Sequence, residues 1–231
     1  MGRKDRRMER ETGEDESMSI PPESLTRALH EEQSDIEALA KRIGGNREAF
    51  KLVIDGLTCT METYRYNCNR LIVRVAETTP GDVYPYWDQL EELLDSSNTY
   101  HRCAAINILP HLIPADGGSK FDGIFAKYFS RLDDESVIPP CYVARNCPTI
   151  ASHRPDLLPR ITNELLAIDA TRHKEGRKDL IKADIILTLD SLFPQMENEP
   201  EVRRFVEAQL NCSSPKTRKA AKAFLQKHGI R

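Results

Sequence analysis

Residues Trp87 to Leu112 read WDQLEELLDSSNTYHRCAAINILPHL, two apolar segments of helical period separated by a polar turn. In the first, Trp87, Leu90, Leu93 and Leu94 recur at helical spacings; in the second, Ala104, Ala105, Ile108, Leu109 and Leu112 do the same. The stretch predicts a helical hairpin in which each helix carries one apolar stripe. Two short one-sided helices do not bury their stripes alone, so the hairpin demands neighbours of its own kind.

Those neighbours are present on both sides. Asn46 reads as the N-cap of a helix carrying Phe50, Val53, Ile54 and Leu57 on one face. Its partner, at about Glu62 to Thr78, carries Arg65, Cys68, Leu71, Ile72 and Val75. This pair repeats at an offset of 37 residues, which sets Leu57 on Leu94, Arg65 on Arg102 and Ile72 on Leu109. At the far end, Leu94 to Leu109 lies over Leu210 to Leu225 at a constant offset of 116, with Arg102 on Arg218 and Ala104-Ala105 on Ala220-Ala221. Asp82-Val-Tyr-Pro85 and Asp156-Leu-Leu-Pro159 stand 74 residues apart, twice the same period. A period near 37 falls in the range of stacked helix pairs.

The turn and second-helix segments Asn98-TYHRCAA and Ser214-PKTRKAA, with the entry segment HRPDLLPRITNELL from His153 to Leu166, resemble HEAT repeats. The resemblance covers about residues 46 to 228 and divides them into five helix pairs. It implies an all-α fold, a right-handed α-solenoid of about five HEAT-like hairpins of the HEAT/armadillo type. The third pair, roughly Phe121 to Ala151, departs by lacking the turn arginine and carrying Pro139, Pro140 and Pro148; the fourth carries the polar insertion Asp169-ATRHKEGRKD. In HEAT-like stacks the turn arginine, here Arg65, Arg102 and Arg218, hydrogen-bonds to neighbouring turns. That structural role is the expectation, with anion binding as the alternative.

Ahead of the stack, Ser24 reads as the N-cap of one extra helix, residues 24–43, with Leu25, Leu29, Ile36, Leu39 and Ile43 on its stripe and Gly44-Gly45 as its stop. Residues 1 to about 20 show no apolar periodicity and are expected to form a disordered, charge-split tail; residues 21–231 then form a single domain. Pro80, Pro85, Pro155 and Pro159 fall at or before first turns of helices, where a missing N–H costs little. Pro110, Pro148 and Pro194 fall late in second helices and are expected to kink or end them.

Composition narrows the function. The 33 Lys and Arg against 36 Asp and Glu give a net charge of -3, which argues against a protein that coats polyanions over its whole surface. With no long apolar run and no signal-like N-terminus, the expectation is a cytoplasmic chain that does not enter a membrane. Cys59, Cys68, Cys103, Cys141, Cys147 and Cys212 form no CxxC pair or Cys/His knuckle, so they are expected as core thiols and no metal or cofactor is implied. No phosphate-cradling glycine loop, nucleophile elbow or paired-carboxylate pattern is present, and the expectation is a non-enzymatic protein. Trp87 is placed in the core or at a groove rim by its spacing from Leu90 and Leu94.

One asymmetry points to a surface. First helices are acidic on their outer side (Asp88, Glu91, Glu92; Glu201, Glu207), whereas second helices carry basic residues off the apolar stripe. The HEAT resemblance implies that second helices line the concave side. The candidate partner-binding residues there are Arg70, Arg74, His111, Arg145, Lys182, Lys219 and Lys222. The leading expectation is a protein-binding or scaffold module that takes a protein or peptide partner of acidic character. The alternative is nucleic-acid binding in a basic groove, as in DNA-alkylation-repair glycosylases of HEAT-like fold, which this chain resembles in helix-pair architecture only.

Overall fold

A computed structural model describes residues 20–117 and 120–229, and the regular elements among them are all helical. In chain order these are α1 (Pro22–Leu29), α2 (Ile36–Ile43), α3 (Arg47–Gly56), α4 (Glu62–Thr78), α5 (Pro80–Val83), α6 (Trp87–Leu93), α7 (Thr99–Ile108), α8 (Lys120–Phe129), α9 (Ile138–His153), α10 (Leu158–Leu166), α11 (Glu175–Leu192), α12 (Glu199–Glu207) and α13 (Pro215–Lys227). The second helices α4, α7, α9, α11 and α13 pack in chain order, each against the next. Their apolar stripes and those of the first helices α3, α6, α8, α10 and α12 meet in one continuous hydrophobic core. Trp87, Leu90, Leu94, Ala105, Ile108, Leu109 and Leu112 of the opening stretch are all fully buried in it. α11 is buried on several sides, with Ile181, Ala183, Ile185, Ile186 and Leu189 in the core and Lys182, Asp184 and Thr188 buried beside them, as a helix held between α9 and α13 must be.

The N-terminal segment departs from the expected single helix over 24–43. It is two helices, α1 starting after Pro21 and α2 capped by Asp35, whose side chain accepts from the Ala38 N–H at 3.0 Å. The break is held by hydrogen bonds. Ser34 Oγ donates to the Ala28 and Glu31 carbonyls, and Asn67 Nδ2 from α4 donates to Leu29 O at 3.0 Å and Glu31 O at 2.8 Å. α1 packs on α3 and α2 on α4, so the segment adds a further pair in the same order as the rest. The expected tail lies outside the described residues up to position 19. Ile20 does not belong to it: the side chain is buried, its N–H donates to Arg42 O and its carbonyl accepts from Asn46 Nδ2. Asn46 is the N-cap of α3 as expected, accepting from the Ala49 N–H at 3.0 Å.

The prolines act through the carbonyls they leave without a donor. α7 ends at Ile108 and the chain continues as a 3-10 segment through Pro110; the Ile106 carbonyl accepts from Tyr128 Oη of α8 at 3.0 Å instead. α11 likewise ends at Leu192, ahead of Pro194. Pro148 does not end its helix, since α9 runs on to His153. The Ala144 carbonyl, four residues before Pro148, is taken by Thr188 Oγ1 of α11 at 2.8 Å. Pro139 and Pro140 sit in the first turn of α9, where the N–H groups have no intrahelical acceptor to lose.

Candidate functional site

In four of the five expected pairs the fourth residue of the second helix bonds back to the turn before it. Arg65 donates to Cys59 O at 2.8 Å, Arg102 to Ser96 O at 2.7 Å and Arg218 to Cys212 O at 2.7 Å, each six residues back along the chain. In α11 the position is Lys178, missed by the sequence reading, and its Nζ reaches over the longer turn to Asp169 O at 2.8 Å. In α9 it is Cys141, half-buried, and burial pushes its thiol up to about 12. Arg102 also spans to the next turn, where its Nε and Nη2 meet Asp134 at 2.7 and 2.8 Å with both side chains buried. The next turns are joined likewise, by Arg172 on Asp133 and by Ser213 on Asp179. These arginines close turns, and Arg102 alone among them is tied to a carboxylate.

The basic candidates divide into two groups. Arg74 pairs with Glu37 at 2.7 Å and Glu77 at 3.4 Å, Arg145 with Asp184 at 3.1 Å, and Lys182, which is buried, with Asp169 at 2.7 Å. Burial works to raise the Asp184 carboxyl, but bonds from Arg145, Cys141 and Lys216 override it and hold the group below the usual carboxylate range. His111 lies half-buried 4.0 Å from Glu77, and burial lowers its pKa so that the ring is neutral at pH 7. Arg70, Lys219 and Lys222 are exposed and form no ion pair among the described residues. The candidates therefore do not form a continuous basic stripe. On the outer side, acidic residues of α6 and the turn after it are matched by α8: Lys120 pairs with Asp88 at 2.6 Å, and Lys127 with Glu91 at 3.6 Å and Asp95 at 2.8 Å.

A different feature sets the second helices apart. Of the six large hydrophobic side chains exposed among the described residues, Tyr66, Tyr100, Ile138, Leu180 and Leu187 lie on second helices, and Met61 is the residue before α4. The first helices carry none among the described residues. Tyr66, Tyr100 and Ile138, joined by Tyr142, wall a cavity of about 300 Å³ where α4, α7 and α9 come together. Its floor is made of the small side chains Cys103 and Ala104, both nearly buried. Burial and the Asp134 charge push the Cys103 thiol up to about 12, so it is a protonated, apolar part of that floor.

Each of the three tyrosines carries a guanidinium. Arg65 lies 4.9 Å from the Tyr100 ring centre, Arg70 lies 5.6 Å from Tyr66 and Arg145 lies 5.5 Å from Tyr142. Between them runs a row of asparagines, Asn69 of α4, Asn107 of α7 and Asn146 of α9, in which Asn146 Nδ2 donates to Asn107 Oδ1 at 3.0 Å. Asn69, on the cavity wall, has its buried Oδ1 without a hydrogen-bond donor among the described residues. The asparagines stand 38 and 39 residues apart, a repeat the sequence carries in the open. The tyrosines share no such register, and their exposure is decided only by packing. Trp87 belongs to the core, with its Nε1 donating to Glu91 at 3.3 Å.

None of the six cysteines forms a disulfide. Among the described residues no group of three or more His, Cys, Asp or Glu side chains is placed to hold a metal ion, and no helix is long and apolar enough to cross a membrane. No protein-family model matches the chain, and no curated protein matches it. A crystal structure of an engineered protein from the Northeast Structural Genomics Consortium is similar at 12% identity, covering 90% of this chain and 91% of that one, with a TM-score of 0.44. A likeness of that size carries no statement about fold or function.

Proposed function

We propose that this chain is a non-enzymatic interaction module, a HEAT-like right-handed stack whose second-helix face binds a protein partner in the cytoplasm. The observation that supports this reading is the segregation of exposed apolar side chains. Five large hydrophobic groups left in water on one row of helices, and none on the other among the described residues, are what a surface built to be covered retains. Stacked helix pairs present such rows as extended binding faces.

The nucleic-acid alternative draws on the three Arg–Tyr pairs, since bases stack on such groups. It also needs uncommitted cations along a backbone path, and Arg74, Arg145 and Lys182 are each tied to a carboxylate. The observations favour a protein.

The two classes separate in a capture experiment on native lysate, run with and without nuclease on the parent chain, on Tyr66→Glu with Leu187→Glu, and on Glu92→Lys as an outer-face control. Protein capture that survives nuclease, is lost in the double variant and is kept in the control is the expected result. Capture that nuclease abolishes, or that the double variant leaves intact, overturns the reading.

A further inference from the structure

The cavity between α4, α7 and α9 is specific in what it admits. Its volume of about 300 Å³ is at the bottom of the range for whole small-molecule sites but ample for one aliphatic or aromatic side chain. Floor and walls are mostly apolar, made of Ala104, a protonated Cys103, tyrosine rings and Ile138, with Glu62, Arg65, Asn69 and Asn107 as the polar part of the lining. A cationic side chain would normally be drawn to three tyrosine faces. Here each ring already carries a guanidinium, so a further cation meets like charge.

The rim has an electrostatic preference of its own. Arg145 is neutralised by Asp184, whereas Arg65 is bonded only to carbonyl oxygens and Arg70 has no carboxylate among the described residues. Both stay outside any ion pair among the described residues on the α4 side, Arg65 on the cavity wall, where Glu62 is the one acidic residue, and Arg70 beyond the Tyr66 ring. The Arg65 charge also helps burial to lower the pKa of the neighbouring His101. The Asn69 carboxamide on the same wall keeps its Oδ1 buried with no hydrogen-bond donor among the described residues.

We propose that this cavity seats one large apolar side chain of a protein partner, and that the residues beside that side chain are acidic, their carboxylates lying against Arg65 and Arg70. The proposal rests on the reading of the second-helix face as a partner-binding surface and adds to it the place and the chemistry of the anchor. An apolar anchor in a desolvated pocket, with charged contacts at the rim, is the usual division between binding energy and selection.

The test uses acetylated and amidated pentapeptides of sequence EDLDE, EDADE and KKLKK, together with decathymidylate, titrated into the isotopically labelled chain and followed by two-dimensional NMR. EDLDE is expected to shift the amide signals of Tyr66, Asn69, Tyr100, Cys103 and Tyr142. It should bind at least about tenfold more tightly than EDADE, because the pocket contact is removed in the latter. KKLKK should leave those signals in place. Arg70→Glu should weaken EDLDE roughly threefold at low salt and less at high salt, as an exposed ion pair does. Tyr66→Ala should weaken it at all salt concentrations. Both altered side chains are exposed, and an unchanged melting temperature confirms that each variant folds.

Equal binding of EDLDE and EDADE, binding of KKLKK to the same residues, shifts confined to another part of the chain, or tighter binding of decathymidylate at the cavity each overturn the proposal. If EDLDE fails while lysate capture still depends on Tyr66 and Leu187, the anchor chemistry is wrong and the binding face stands. If capture is indifferent to those residues, the face itself is wrong.

Discussion

The turn at residues 94–98 and the turn at residues 210–214 carry matching sequences, yet they do different work. In both, an arginine at the fourth position of the following helix donates to the carbonyl six residues before it, Arg102 to Ser96 and Arg218 to Cys212. Arg218 stops there: its second bond, to Ser213 O at 2.9 Å, stays within its own turn. Arg102 has a further turn beside it and spends its other nitrogens on Asp134, with its side chain 5% exposed and that of Asp134 3%. One residue type in one local frame is thus a turn closure at the end of the row and a buried link between pairs in its interior. The motif sets the first role and the neighbour sets the second.

Removing the interior link is the largest test of this difference. Arg102→Ala leaves the Asp134 carboxylate buried without its partner and should cost about 3–5 kcal/mol in urea unfolding. Arg102→Leu combined with Asp134→Leu should recover most of that loss, because the desolvated charges go together. If the single variant costs no more than its terminal counterpart, the burial of the pair contributes nothing to stability.

Next in size are the hydroxyls that serve proline-freed carbonyls inside the row. Tyr128→Phe and Thr188→Val should each cost about 1–3 kcal/mol, since each leaves a buried carbonyl unsatisfied without removing much apolar volume. A cost near zero for both would mean that the carbonyls find other donors.

The two turns should also respond differently to acid. His101 precedes Arg102, and the matching residue before Arg218 is Thr217. Burial, helped by the Arg65 charge, lowers the His101 pKa from an ordinary value of 6.5, so the folded chain holds the ring neutral while the unfolded chain protonates it first. Its contribution is therefore present above about pH 6.5 and is lost as pH falls from there towards the lowered folded value. His111, lowered mainly by burial, acts in the same direction. Melting temperatures of His101→Gln with His111→Gln should fall less between pH 7 and pH 5 than those of the parent. An unchanged slope sinks the assignment.

The smallest effect belongs to the terminal turn. Arg218→Ala should cost about 1 kcal/mol, the worth of an ordinary turn closure, with no change in the transition's cooperativity.

Legibility followed the same division between local and shared structure. The helices that one apolar stripe defines, such as Glu62–Thr78, were readable from residue periods alone. The α1–α2 break was not, because Leu25, Leu29, Ile36, Leu39 and Ile43 keep helical spacing across it; only Glu32 in a stripe position and the Ser34-Asp35 pair mark the interruption. At the candidate surface, the sequence supplied the basic residues but not the carboxylates that meet them from other helices, Glu37 for Arg74 and Asp184 for Arg145. Exposure of Tyr66, Tyr100 and Leu187 is likewise a property of how helices pack, and no period in the chain announces it.

The proline-freed carbonyls carry a consequence for how the chain comes apart. In an uninterrupted helix the bond to each of those carbonyls would be internal, part of what one helix pair contributes by itself. Here Tyr128 of the third pair serves Ile106 of the second, and Thr188 of the fourth serves Ala144 of the third. Two bonds have moved from the intrinsic stability of single pairs to the coupling between neighbours. In a linear array, stronger coupling relative to intrinsic stability makes partly unfolded arrays rarer. The amides of α7, α8, α9 and α11 should accordingly exchange with solvent as one unit, while the helices at either end open first.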